Sequence, residues 1–214
     1  MLLPSLADLL ALLGIDLVLC AGCLRLLGGT RGVSRWEKWG TVFCFVVLWL
    51  PVGAPHLPLL AYIRGISSDL SITLVALACL GLCQRLLGLR VIVRREKMAL
   101  NGAIAVAALF LYPMALGWGD WDSYRAGWGS YGMWAALLAL SLLSWVKGLR
   151  LLPILVGVSL LAWSTGLMES TNLWDYLFDP WLATAALFQC MKSGAQLVLN
   201  RFRPTGLDAR NLSN

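Results

Sequence analysis

Apolar residues fill this chain in long runs separated by short polar gaps, and most runs approach the length of a membrane helix. A bilayer crossing needs roughly 20 helical residues. The first run covers about residues 4–27 and ends at Gly28-Gly29. The second starts near Thr41 and reaches about Tyr62, with Pro51, Pro55 and Pro58 in its second half. Prolines withdraw backbone donors and crowd the preceding carbonyls, so this helix must kink or break near one end. The turn RGISSD follows; Ser67 or Ser68 is placed to cap a third helix with Asp69 in its first turn, running to about Leu87. A fourth spans about 98–117 and contains Pro113. The fifth and sixth, about 133–146 and 151–167, are short and joined by KGLR as a helical hairpin. The seventh covers about 181–199. The pattern predicts an all-α, polytopic transmembrane bundle of seven helices. It forms one domain over residues 1–203, with a short polar tail at 204–214.

Composition agrees. Of 214 residues, 59% are hydrophobic and 13% charged, and mean hydropathy is +0.76. A soluble domain carries about 25% charged residues. Charge then adds an orientation. Thirteen of the seventeen Lys and Arg residues fall in alternate gaps. Arg31, Arg35 and Lys38 occupy the first gap, and five residues from Arg85 to Lys97 the third. Lys147 and Arg150 occupy the fifth, and Arg201, Arg203 and Arg210 the tail. Only Arg64 and Arg125 stand in the other gaps. Short loops rich in Lys and Arg stay cytoplasmic, which predicts the N-terminus outside and the C-terminus inside. MLLPSLADLLALLG has no positive leading region and reads as the start of the first membrane helix, not as a cleaved signal. The inner side then holds fourteen basic residues (the thirteen plus Arg25) against three acids, Glu37, Glu96 and Asp208. The outer side holds two basic residues against seven acids. Net charge +6 and pI ≈ 9.2 therefore point to insertion and anionic lipid headgroups, not nucleic acid.

Three groupings can carry chemistry. Two outer segments, residues 118–131 and 169–181, concentrate acids and aromatics. Asp120, Asp122, Asp175 and Asp179 are candidate contacts for a lipid headgroup, a partner protein or a divalent cation. Asp175 and Asp179 share a face if that stretch is helical, while Asp179-Pro180 also reads as the cap and first position of the last helix. Trp118, Trp121, Trp128, Trp174 and Trp181 form an expected aromatic belt. Next come Arg64 and Asp69, with the lone His56 nearby. An outer Arg opposes the insertion bias, so either a salt bridge to Asp69 or recognition of a phosphate or carboxylate headgroup holds it. Finally, Asp16 and Lys192 each lie about twelve residues into their helices, ~18 Å deep at 1.5 Å per residue. Charges at that depth usually pair, so an Asp16–Lys192 ion pair joining the first and last helices is expected; a protonated Asp16 and a snorkelling Lys192 are the alternatives.

Other signals carry little. Cys20, Cys23, Cys44, Cys79, Cys83 and Cys190 all lie in apolar runs and read as packing residues, not as a metal, redox or disulfide framework. Asn211-Leu212-Ser213 matches a glycosylation sequon but falls on the inner side. No phosphate-binding glycine loop, Gly-x-Ser-x-Gly elbow or His-Glu-x-x-His occurs, and no metal ligand set or cofactor is assigned.

The stretch AYIRGISSDLSITLVAL resembles a helix start in the membrane modules of bacterial sulfatase-like phosphoglycerol and phosphoethanolamine transferases, the lipoteichoic acid synthase type. There a Gly-x-x-x-Asp-Leu-Ser element opens a helix at the outer face; Gly65, Asp69, Leu70 and Ser71 match it over about 30 residues. That family carries an extracytoplasmic catalytic domain with a Thr nucleophile and metal ligands, and nothing in these 214 residues resembles it. The resemblance implies a membrane module alone, holding a lipid substrate or anchoring a separate enzyme. The expected protein is a multi-pass bacterial inner-membrane protein. Its expected role is non-catalytic, as an accessory or anchoring subunit in cell-envelope lipid or glycopolymer processing, with membrane lipids and an envelope enzyme as partners. The alternatives are an integral transferase acting on lipid headgroups at the outer face and a small proton-coupled transporter.

Overall fold

A computed structural model of the chain describes residues 5–27, 33–54, 56–89 and 92–202. Gly28-Gly29, Arg31, Pro55, Arg90, Arg203, Asp208, Arg210 and the 211–213 triplet lie outside those residues. Nine α-helices dominate the described residues: α1 (Leu6–Leu27), α2 (Arg35–Leu48), α3 (Leu59–Ser67), α4 (Ile72–Leu86), α5 (Arg94–Ala115), α6 (Tyr131–Val146), α7 (Leu151–Ser164), α8 (Leu173–Leu177) and α9 (Pro180–Phe202). A short antiparallel pair, β1 (Pro51–Val52) with β2 (Leu57–Pro58), separates α2 from α3. A 3₁₀ turn at Tyr124–Trp128 precedes α6.

α1 and α5 have 22 residues each and are apolar enough to cross a membrane; α4, α6 and α7 are shorter apolar helices. At about 1.5 Å per residue α1 and α5 reach roughly 33 Å. The expectation of seven membrane-length helices is thus met by two. The 23-residue α9 is long but more polar, carrying Lys192, Asn200 and Arg201.

The breaks have local causes. α2 begins at Arg35, earlier than the apolar run suggested, because Ser34 and Glu37 form a capping box: Ser34 Oγ accepts from Glu37 N at 3.2 Å, and Glu37 accepts from Ser34 N at 2.7 Å. It ends before Pro51, so the expected second helix divides into α2 and α3 as the prolines demand. Pro51 pairs with Pro58 at the open end of the β1–β2 ladder. Neither proline has an N–H to offer, so the ladder stops there. The cap of α4 differs from expectation: Ser71, not Ser67 or Ser68, accepts from Leu74 N at 3.2 Å. Gly65 lies within α3, and Asp69 stands between α3 and α4, not in the first turn of α4 as expected.

α7 is the central helix and touches α4, α5, α6 and α8. α5 packs along α9, and α1 along α4, where Gly14 lets the Val75 side chain approach closely. The main core joins α5, α7, α8 and α9 around Leu155, Leu173, Tyr176 and Ala186. Buried hydroxyls tie its layers: Thr73 and Ser159 are 3.1 Å apart, and Ser159 donates to Tyr176 O at 3.1 Å. Large apolar side chains such as Phe43, Val106, Leu161, Phe188 and Leu197 stand exposed around the outside of the body.

Candidate functional site

At one end, α1, α3, the C-terminal turn of α5 and the α8–α9 junction enclose an open cavity of about 1250 Å³. Arg64 forms its centre of charge. The guanidinium sits in the last turn of α3, favourable for a cation. Its Nε donates to Asp69 Oδ1 at 2.6 Å and Nη2 to Asp69 Oδ2 at 3.3 Å, a bidentate fork. Nη1 reaches Asp8 Oδ1 at 2.6 Å, and Nη2 also reaches Glu169 Oε1 at 3.1 Å. One cation therefore gathers three carboxylates from three parts of the chain. The bonds to Asp69 raise the Arg64 pKa further above its ordinary value against the opposing effect of partial burial, and Asp8 and Glu169 add to the rise.

A second set of acids is held by donors. Tyr124 Oη donates to Asp175 Oδ2 at 2.8 Å, and Ser170 Oγ donates to the same oxygen. Partial burial, then the bond to Asp175, pushes the Tyr124 hydroxyl up to about 12, so it stays a donor at neutral pH. Asp179 is buried and bridges two helix starts: Oδ1 accepts from Leu182 N at the head of α9, and Oδ2 from Ser71 N at the head of α4, both at 2.8 Å. Phe178 is extended between α8 and α9, so Asp175 and Asp179 do not share a helical face. The capping role expected of Asp179-Pro180 is the one realised.

The 3₁₀ turn is locked to α8. Asn172 Nδ2 donates to Tyr124 O at 2.9 Å, Trp174 Nε1 to Ser123 O at 3.1 Å, and Trp128 Nε1 to Thr171 Oγ1 at 3.3 Å. Gly127 is buried against this lock, and a Cβ there would overlap the Asn172 amide and the Trp174 ring.

The candidate residues from sequence are thus divided. Arg64, Asp69, Asp175 and Asp179 line the same cavity. Asp120 and Asp122 line a separate, smaller one of about 470 Å³, where Asp122 Oδ1 accepts from Tyr124 N at 3.0 Å. The salt-bridge reading of Arg64 is realised, and a guanidinium held by three carboxylates has no net positive charge left for a phosphate. Trp174 is buried and leaves the expected aromatic belt, whereas Trp118, Trp121, Trp128 and Trp181 remain exposed. Asp8, Trp49, Tyr112 and Ser170 are cavity residues that the sequence did not single out, while Glu169 belongs to the acidic outer segment it did mark. For Asp8 the available signal was an acid in the first turn of a helix starting at the same end.

The expected Asp16–Lys192 pair does not form. Asp16 is fully buried, accepting from Trp49 Nε1 at 2.7 Å and from Cys20 Sγ at 3.4 Å, while Lys192 is exposed on α9. Asp16 joins α1 to the end of α2, because the Pro51 break brings the indole of Trp49 over it. All six cysteines are free thiols.

Among the described residues, no group of three or more His, Cys, Asp or Glu side chains is arranged to hold a metal ion. In the Arg64 cluster the guanidinium occupies the place between carboxylates that a cation would take. His56 stands at the cavity rim in the left-handed backbone region, φ 53°, which is uncommon for a side-chain-bearing residue and concentrates at functional sites. No family model, curated protein or solved structure matches this chain.

Proposed function

We propose that this protein spans a bacterial inner membrane seven times with its carboxylate-rich end outside. In this reading the outer cavity receives the polar head of an amphiphile, as a non-catalytic accessory or anchoring subunit in envelope lipid or glycopolymer processing. The observation that carries it is the cavity itself. Apolar walls from Leu9, Leu12, Leu111 and Phe178 adjoin carboxylates, a tyrosine and a histidine. Apolar walls with a few fixed polar groups suit an amphiphile. The acids favour an amine- or hydroxyl-bearing head over a phosphate.

Membrane insertion is supported by the exposed apolar girdle, by the two long apolar helices and by the separation of acidic and basic ends. The non-catalytic role is supported by how the acids are used. Asp8, Asp69 and Glu169 bind Arg64, Asp175 binds Tyr124 and Ser170, and Asp179 caps two helices. A general acid or base needs a proton site it can exchange with substrate, and these groups are committed to the fold.

The test is purification from native membranes in mild detergent with mass spectrometry of co-purifying lipids and proteins, on wild type and Ala115→Trp. Ala115 lines the cavity, and an indole there takes up part of its space. One enriched amphiphile and one stoichiometric envelope enzyme in wild type, with the amphiphile lost from the variant, is the expected result. A purified chain that chemically converts the amphiphile without a partner overturns the accessory role. Equal lipid content in both proteins overturns the cavity as its site.

A further inference from the structure

The α6–α7 hairpin forms an edge of the body, with α6 packed on α7 and on the 3₁₀ turn. Leu138, Leu142 and Leu143 of α6 and Ile154, Val158 and Leu161 of α7 stand exposed along it. The hairpin and its flanks, residues 129–172, are all described. Amphipathic aromatics mark both edges of this apolar band. At the carboxylate-rich end Tyr131 is exposed in the first turn of α6, and Trp134 meets Trp163 with ring centroids 5.7 Å apart. Trp163 Nε1 donates to Thr171 O at 2.8 Å, which fixes that edge. At the basic end Trp145 is exposed, with the Arg150 guanidinium 6.0 Å from its ring centroid. The Lys147–Arg150 turn closes the hairpin at once, Gly148 taking φ 71°, and adds no apolar length. Tyr and Trp settle at membrane–water interfaces. Tyr131 and Trp145 are 14 positions apart on one helix, which is ~21 Å at 1.5 Å per residue.

Hydrogen bonds carry the same measure to α5. Glu96 Oε1 accepts from Arg150 N at 2.9 Å and Leu151 N at 3.2 Å, so the start of α7 is level with Glu96. Ser123 Oγ donates to Leu111 O at 3.1 Å, so the 3₁₀ turn that leads into α6 is level with Leu111. Glu96 and Leu111 are 15 positions apart, ~22 Å along the helix. The last turn of α5 does not extend the band, because Tyr112 and Ala115 line the large polar cavity. Any tilt of the helices shortens the span across the membrane further. A usual hydrocarbon core is roughly 30 Å thick.

We propose that the α6–α7 face fits a lipid bilayer with a hydrocarbon core of about 22 Å, formed by short-chain phospholipid or by local thinning of the membrane. In a thicker bilayer Tyr131, Lys147 and Arg150 are drawn below the interface, or the lipid chains beside the hairpin must compress. The inference rests on the membrane reading above and adds the thickness and the face that sets it.

The experiment reconstitutes the full chain in phosphatidylcholine bilayers whose monounsaturated chains run from about fourteen to about twenty-two carbons, and follows thermal unfolding in each. Wild type is compared with Lys147→Leu/Arg150→Leu, which removes the polar edge at the basic end of the hairpin and lengthens its apolar band. Wild type is expected to be most stable in the shorter half of the series and to unfold at least tenfold faster, at one temperature, in the longest chains. The variant is expected to have its optimum displaced toward longer chains. Where that variant does not fold, Tyr131→Leu makes the same test from the other edge. A wild-type optimum in the longer half of the series, or no dependence on chain length, overturns the inference. An unchanged optimum in the variant overturns its assignment to the α6–α7 face. Crosslinking of chain to chain through Leu142→Cys, above that of wild type at every thickness, gives the face to a second copy and overturns lipid as its occupant. A chain that stays folded in solution without lipid or detergent overturns the membrane reading and this inference with it, whereas the thickness series overturns the inference alone.

Discussion

The two ends of this molecule handle charge in opposite ways. At the carboxylate-rich end every acid lining the large cavity has a donor from the protein, and its one arginine is shared by three of them. At the basic end four cations line a cavity with no acid among its described lining residues. The first end has its hydrogen bonds made by the protein itself and is therefore preorganised, able to receive a polar head without rearranging its own side chains. The second end gathers like charge from three helices around one hollow. Stability should separate accordingly: substitutions at the first end cost more folding free energy than those at the second.

The largest expected effect is at Arg64. Arg64→Leu leaves Asp8, Asp69 and Glu169 facing one another without their cation. Removing one partner of a partly buried ionic cluster costs on the order of 3 kcal/mol. Thermal unfolding in detergent should show this loss, and millimolar calcium should recover part of it, since three carboxylates then form a site for a hard cation. A variant as stable as wild type would remove the claim that this end is closed around Arg64.

Gly127→Ala comes next. Its Cβ overlaps the Asn172 amide and the Trp174 ring, and overpacking of this kind costs about 1–3 kcal/mol. Hydrogen exchange should locate the loosening at the 3₁₀ turn and α8. Unchanged protection there would show that the lock does not hold the cavity wall.

Asp179→Ala removes two helix-start bonds at once, at Ser71 N and Leu182 N. A loss of about 1–2 kcal/mol is expected, since one cap is worth roughly 1 kcal/mol. Asp179→Asn should restore about half of it, because its one amide oxygen can accept from only one of the two N–H groups. If Asn and Ala behave alike, the charge matters and the capping account fails.

The smallest effect belongs to the basic end. Arg94→Gln alone, in neutral detergent, should shift stability by less than about 0.5 kcal/mol, as exposed substitutions do. A large loss in neutral detergent would erase the contrast between the ends.

Much of the architecture was legible in the order of residues. The chain is mostly helical, as its apolar runs predicted, and the proline cluster divided the second run where expected. Asp179-Pro180 announced the start of α9, and the Arg64–Asp69 bridge lies only five residues apart. Helix starts were less legible. Ser34–Glu37 was a readable capping box that the apolar run concealed, and Ser71 displaced Ser67 and Ser68 because Asp179 from far along the chain holds its N–H.

What residue order determined by itself is the alternation of apolar run and polar gap, the helical class and the partition of charge between two ends. These depend on local composition and period, which every window of the chain carries. The tertiary structure alone decided which groups meet. Asp8 lies 56 residues and Glu169 105 residues from the Arg64 they share, and Asp16 found Trp49 and Cys20 in place of Lys192. The reason is rotational. Helices such as α6 and α7 are apolar nearly all round, so no polar stripe states which face turns inward. That choice is made by close packing between helices, and with it the position of every charged side chain at their ends.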